Sequence, residues 1–122
     1  MPFQIKRIYE VEDSSDGKRL LVDRLWPRGV SKVRADLDAW LKDISPSPEL
    51  RVWFDHRADR FDEFRTRYLM ELNTDKDKQA DINQALELGH VGMVTLLYGA
   101  RDQHVNHAIV LKEFLDSQST QK

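Results

Sequence analysis

The sequence predicts a single-domain α/β fold, in the form of a three-layer α/β/α sandwich with a small, mostly parallel sheet. Short apolar runs that fit strands alternate along the chain with segments whose apolar residues recur at helical spacing. Residues 20–22, Leu-Leu-Val, are continuously apolar, as in a strand covered on both faces. A chain of 122 residues is long enough for one stable domain but too short for two, so we assign residues 1–122 to one domain.

The first part of the chain predicts two strands and one ambiguous segment. Residues 3–9 and 19–26 fit strands, and the turn-forming sequence Ser-Ser-Asp-Gly lies between them. Ser31 is expected to cap a short helical turn. Residues 36–44 have apolar side chains at helical spacing, but a strand over residues 38–44 alternates better with its neighbours. We favour the strand.

Two helices are predicted next. Ser47 as N-cap and Pro48 at the first helical position are typical of a helix start, and this helix is expected to end near residue 54. Asp59 is expected to cap the second helix. Its apolar face is predicted from four residues at helical spacing: Phe61, Phe64, Tyr68 and Leu72.

The last part of the chain predicts a helix, a strand and a final helix. The first of these begins near Asp75, with Gly89 as the residue that follows its end. Residues 91–98 form the clearest strand in the sequence, and residues 103–115 predict the last helix. The polar tail, residues 117–122, is expected to be flexible.

Composition narrows the classes of function. The 19 basic and 21 acidic side chains give a net charge of −2, which does not favour nucleic acid as a partner. There is no cysteine, so disulfides, thiolate metal sites and cysteine nucleophiles are excluded. The N-terminus lacks the apolar core of a signal peptide and no run has membrane-spanning length, so we expect a cytoplasmic protein without a membrane partner.

Candidate site residues follow three predicted strands. Residues 18–34 hold six basic side chains against Asp23 alone, a local patch that suits a small anionic ligand. In a parallel α/β sheet the carboxyl ends of strands lie together, and ligands bind there. The candidates at these ends and in the next helix are Asp23, Arg24, Trp26, Arg28, Ser45, Ser47, Tyr98, Arg101, Asp102, Asn106 and His107.

This set of side chains predicts binding of a phosphate or carboxylate, with acid–base catalysis as a further step. Guanidinium groups such as that of Arg24 bind such anions with two parallel hydrogen bonds. His107 or Asp102 is the candidate general acid or base, and Tyr98 is the candidate for orienting the substrate. Covalent catalysis is less favoured, since no Ser–His–acid arrangement is recognisable.

Other interpretations of the same residues stay open. Arg24 beside Asp23 suits a structural ion pair, Trp26 suits core packing, and Asp102 suits a helix N-cap. The protein could equally be a non-catalytic module that senses an anion or joins a partner protein. A weaker alternative is a divalent-metal site at His104 and His107, which nearby arginines and the lack of an HExxH spacing disfavour.

Three segments of the chain resemble the DUF488 family, YeaO-like branch. They are residues 21–32 (Leu-Val-Asp-Arg-Leu-Trp-Pro-Arg-Gly-Val-Ser-Lys), residues 40–47 (Trp-Leu-Lys-Asp-Ile-Ser-Pro-Ser) and residues 96–102 (Leu-Leu-Tyr-Gly-Ala-Arg-Asp), the last followed by Asn-His-Ala at 106–108. The chain departs from the family pattern in having Ser45 and Gly99, where alanine is common. The resemblance implies a compact α/β protein of the bacterial or archaeal cytosol. It supplies neither a substrate nor a cofactor.

Overall fold

A computed structural model describes residues 2–119 of the chain. A parallel four-stranded sheet lies at its centre, with the strands in the order β1-β4-β2-β3. The strands are β1 (Phe3–Arg7), β2 (Lys18–Leu21), β3 (Ala39–Trp40) and β4 (Val94–Tyr98). The predicted α/β class with a small parallel sheet is therefore confirmed.

Five helices connect and cover the strands. They are α1 (Lys32–Ala35), α2 (Pro48–Phe54), α3 (Phe61–Thr74), α4 (Lys76–Val91) and α5 (His107–Ser119). No helix within residues 2–119 combines the length and the apolar character that crossing a bilayer requires.

Side chains alternate between the two faces of the sheet, as strand geometry requires. Leu20 and Leu96 point into the larger core, which is built with α2 to α5. Leu21 and Leu97 point into a smaller core on the opposite face. The cover over that second face is thin, because it consists of the one-turn helix α1 and the loops on either side of it.

Several predicted boundaries were wrong for local reasons. The strand predicted over residues 38–44 is limited to Ala39–Trp40, and a 3₁₀ turn follows at Lys42–Ile44. Asp59 does not cap α3, because its carboxylate binds the Arg57 guanidinium and α3 begins at Phe61. Ser47 does cap α2, as predicted, and accepts a hydrogen bond from the backbone N–H of Leu50.

The two C-terminal helices also differ from the prediction. Helix α4 continues past Gly89 and ends at Val91, with Gly92 as its C-cap. A Cβ at position 89 would lie 2.7 Å from the Phe3 ring, so glycine allows close packing there. Helix α5 begins at His107 rather than residue 103, because Asn106 caps it by accepting from the backbone N–H of Ile109. Residues 117–119 belong to α5 rather than to a flexible tail, and residues 120–122 lie outside the described residues.

Candidate functional site

A cleft of about 260 Å³ opens beyond the carboxyl ends of β2 and β4. The residues after these strands form one side, and the start of α5 forms the back. The segment before α2, α2 itself and α3 form the other side. The lining residues are Asp23, Arg24, Leu25, Ser45, Pro46, Arg51, Phe54, His56, Phe64, Gly99, Ala100, Asn106 and His107.

Asp23 and His107 connect the strand ends at the back of the cleft. Oδ2 of Asp23 accepts a hydrogen bond from the Gly99 backbone N–H at 2.8 Å. Nε2 of His107 lies 3.0 Å from the Val22 carbonyl oxygen and 3.2 Å from Oδ1 of Asp23. Because both neighbours are acceptors, we assign the proton to Nε2, directed at the closer Val22 oxygen. Nδ1 of His107 has no hydrogen-bond partner within residues 2–119.

Buried polar groups hold the opposite wall in place. The Tyr68 hydroxyl donates to the Ile44 carbonyl at 2.7 Å, and burial raises the pKa of this tyrosine well above 10. The Tyr68 ring also meets the His107 ring edge-on, with centroids 6.3 Å apart. The buried ammonium of Lys78 donates to the Ser45 carbonyl at 2.6 Å, so α4 fixes the segment that leads into α2.

Two arginines of the cleft have no partner within the described part of the chain. Arg24 follows β2, Arg51 lies on α2, and neither guanidinium makes an ion pair or hydrogen bond with any of residues 2–119. Nε of Arg24 is also out of contact with solvent. Most other arginines are used by the fold: Arg7, Arg19, Arg34, Arg57, Arg60, Arg65 and Arg67 each donate to a carbonyl or carboxylate oxygen.

His56 reaches the cleft through an unusual backbone segment. Asp55, which ends α2, has φ 49°, and His56 follows it with φ 54°. Left-handed backbone costs a residue other than glycine on the order of 1 kcal/mol or more and persists where the surroundings impose it. The backbone is therefore strained at the rim of the cleft, where the chain turns from α2 toward α3.

The structure brings five of the sequence-predicted residues into the cleft: Asp23, Arg24, Ser45, Asn106 and His107. Two of them have structural duties. The Ser45 hydroxyl donates to the Lys42 carbonyl at 2.6 Å. The Asn106 side chain caps α5 and donates to the Asp102 carbonyl at 2.8 Å.

Two further candidates after β2 do not line the cleft. Trp26 turns to the opposite face of the sheet, where its indole N–H donates to the Val30 carbonyl at 2.6 Å and its ring meets Trp40 edge-on. Arg28 is exposed on the loop, and its carbonyl accepts from the Tyr9 hydroxyl. The loop that follows Leu25 therefore folds over the second face instead of closing the cleft.

The remaining candidates also lie outside the cleft lining. Ser47 caps α2 and binds the Glu71 carboxylate, while Tyr98 is buried in the larger core, where burial raises its pKa. Arg101 and Asp102 are exposed. The carboxylate of Asp102 accepts from the backbone N–H groups of His104 and Val105, which makes it a turn-forming residue.

The metal alternative gains no geometric support. His104 is exposed and does not line the cleft, whereas His107 is engaged at Nε2. Across residues 2–119, histidine and carboxylate side chains do not gather in any group of three that could hold a metal ion.

The site residues predicted from the sequence included neither Arg51 nor His56. Helical periodicity in the seven-residue α2 does not indicate which face borders a cleft. The apolar lining residues Leu25, Pro46, Phe54 and Phe64 were also missed, because they come from separate segments that only tertiary packing brings together. The one available signal was the pair Asp55-His56 directly after the helix, since aspartate tolerates the left-handed conformation that ends a helix.

Comparison with known proteins places the chain in a family. A family model described as "Inactive DUF488-N3 subclade" matches residues 2–122. The chain belongs to the DUF488 family. It is 43% identical over 117 residues to the Uncharacterized protein YeaO of Escherichia coli (strain K12), covering 96% of this chain and 99% of that protein. It is 39% identical over 113 residues to an uncharacterised protein of Mycobacterium tuberculosis (strain ATCC 25618 / H37Rv), covering 93% and 92%. No solved structure matches the chain significantly.

Proposed function

We propose that the cleft binds a small anion, carrying a phosphate or a carboxylate, and that the protein does not catalyse a reaction on it. The observation that carries this proposal is that two guanidinium groups in the lining of one cleft, those of Arg24 and Arg51, have no partner among residues 2–119. Guanidinium groups bind carboxylates and phosphates through two parallel hydrogen bonds. An anion would supply the acceptors that the protein itself does not.

The balance of charge in the cleft supports an anion. Arg24 and Arg51 contribute two positive charges, and Asp23 is the one acidic residue of the lining. Oδ2 of the Asp23 carboxylate accepts from the Gly99 N–H, and Oδ1 lies 3.2 Å from Nε2 of His107, so both oxygens face the back of the cleft.

Two observations support the absence of catalysis: the description of the family model and the positions of the candidate catalytic residues. The subclade to which the chain belongs is described as inactive. Of the three residues expected to transfer protons or orient a substrate, only His107 lines the cleft, while Tyr98 is buried in the core and Asp102 forms an exposed turn. Acid–base catalysis by His107 is the competing function, and its contact with Asp23 is the observation that favours it.

Calorimetric titration with inorganic phosphate and with acetate at low ionic strength tests the binding. We expect measurable affinity in the wild type and about tenfold weaker binding in Arg24→Gln and in Arg51→Gln, because a hydrogen bond to a charged group contributes about 1.5–3 kcal/mol. Arg101→Gln is the matched control, because Arg101 is exposed and lies outside the cleft lining. Equal loss in the control, or no binding of either anion, would contradict the proposal.

A separate measurement addresses catalysis. Phosphate and carboxylate esters incubated with the protein and followed by NMR should hydrolyse no faster than they do without the protein. Product formation that His107→Gln abolishes would show acid–base chemistry and would replace the non-catalytic function with the competing one.

A further inference from the structure

The anion-binding side chains of the cleft lie beside an apolar wall that an inorganic ion would leave uncovered. Phe54 and Phe64 stack with ring centroids 4.1 Å apart and planes 17° apart. Both rings border the cleft, and both residues are almost fully buried, at 5% and 1% exposed. They form a rigid aromatic floor, because Phe64 also packs against Tyr68 in the larger core.

Leu25 adds an exposed apolar side chain to the same cleft. It lines the cleft and is 62% exposed, directly after Arg24 in the chain. Pro46 and Ala100 extend this apolar lining. A ligand that covered Leu25 would remove its exposed apolar surface from water, which contributes roughly 25 cal/mol for each Å² buried.

The size of the cleft also exceeds what an inorganic anion requires. A water molecule occupies about 30 Å³ in the liquid, and the cleft volume is about 260 Å³. A bare phosphate ion would fill only part of this space and would leave the rest to water held against Phe54 and Phe64.

We infer that the ligand is an organic anion whose carboxylate or phosphate is attached to an aromatic ring or an apolar body of similar size. This inference rests on the proposed anion binding. Arg24 and Arg51 would bind the charged group, and the apolar body would lie against Leu25 and the edges of Phe54 and Phe64 that border the cleft.

Matched pairs of probes test the inference: acetate against phenylacetate, and inorganic phosphate against phenyl phosphate. We expect the aromatic member of at least one pair to bind about tenfold more tightly or better than its bare anion, which corresponds to about 1.4 kcal/mol. The pair that shows the larger gain identifies whether the charged group is a carboxylate or a phosphate.

A variant at Leu25 isolates the apolar contribution. Leu25→Ser should reduce the preference for the aromatic member, measured as the ratio of the two affinities, about threefold or more. Folding should be unaffected, because the side chain is exposed. Val52→Ser is the matched control, since Val52 is 73% exposed on α2 and lies outside the cleft lining, and it should change neither affinity.

Failure of this inference and failure of the proposed function give different results. Equal affinities for the bare and the aromatic anions would overturn the inference and leave anion binding intact. Binding of benzyl alcohol as tight as that of phenylacetate would overturn the role of the arginines. Absence of binding by all four anions would overturn both.

Discussion

Two arginines at opposite ends of β2 differ in almost every respect. Arg19, near the start of the strand, is 3% exposed and donates to Asp16 at 2.5 Å and to the Ala35 carbonyl at 2.8 Å. Arg24, just beyond the end, has no partner within residues 2–119 and lines the cleft. Two arginines near the same strand therefore differ in their roles: Arg19 stabilises the fold through its ion pair, whereas the guanidinium of Arg24 is free of such contacts within residues 2–119.

Asp16 explains why the Arg19 side chain is not available to a ligand. Its buried carboxylate binds the Arg19 guanidinium and the Lys6 ammonium, which lies 3.0 Å away, and it accepts from the Asp13 backbone N–H. The cleft end holds no comparable carboxylate for Arg24, because both oxygens of Asp23 face Gly99 and His107. Stability should therefore depend on Asp16 and Arg19, and ligand binding on Arg24 and Arg51.

The largest expected effect is the loss of stability in Asp16→Asn. The substitution keeps the shape of the side chain but leaves the buried charge of Arg19 without its counter-ion, which typically costs about 3–5 kcal/mol. Chemical denaturation should show a decrease of this size in the free energy of unfolding. Asp59→Asn is the control, because its ion pair with Arg57 is exposed and should change stability by under about 1 kcal/mol. Similar small losses in both variants would contradict the assigned role of Asp16.

Acid should weaken the same end of the sheet. Burial alone would raise the pKa of Asp16, but hydrogen bonds from Lys6, Asp13 and Arg19 outweigh it and hold the pKa below the ordinary value. Its stabilisation is then fully present above the unfolded-state pKa, about 3.9, and is lost as pH falls through the lower folded-state pKa. The difference in unfolding free energy between the wild type and Asp16→Asn should be constant near neutral pH and shrink in acid. If the difference in unfolding free energy grew on acidification, the pKa of Asp16 would instead be raised in the folded protein.

A smaller effect is expected from Gly99→Ala at the cleft end. A Cβ at this position would lie 3.1 Å from Oδ2 of Asp23, so the carboxylate must move by a few tenths of an ångström. Replacing glycine by alanine also reduces the conformational entropy of the unfolded chain, which stabilises the folded protein by about 0.4–1 kcal/mol. These effects oppose each other, so the net change in unfolding free energy should stay within about 1 kcal/mol. A loss of several kcal/mol would show that Asp23 is a rigid structural support.

The smallest effect on stability is expected from Arg24→Gln. The guanidinium has no partner to lose in the described part of the chain, so the unfolding free energy should change by less than about 0.5 kcal/mol. Arg19→Gln, measured in parallel by the same denaturation, should lose several times more, because it removes the buried ion pair with Asp16 and the two hydrogen bonds to the Ala35 carbonyl. Equal losses would remove the distinction between the two ends of β2.

The sequence predicted the sheet and part of the cleft for a clear physical reason. Parallel strands place their carboxyl ends at one edge, so Asp23 and Arg24 after β2 could be expected beside the residues that follow β4. His107 was predicted in the cleft because it follows β4 in the chain. The helix that carries it begins at His107, four residues later than predicted. Local pattern and topology were sufficient for these residues.

Other parts of the site depended on contacts that no local pattern encodes. Trp26 and Arg28 follow the same strand as Arg24, but the loop turns to the opposite face, where Trp26 meets Trp40. Arg51 enters the cleft only because α2 packs on α3 through the stacked Phe54 and Phe64 rings. The direction of a loop and the face of a short helix are decided by tertiary packing.

The most direct test of the central claim is an NMR titration that follows the guanidinium Nε–H resonances of the arginines while inorganic phosphate and phenyl phosphate are added. We expect saturable shifts at Arg24 and Arg51, with no shift at the buried, paired Arg19 or at the exposed Arg101. Shifts at Arg101 and not at Arg24, or no saturable shift at either cleft arginine, would contradict the claim that this end of the sheet binds an anion.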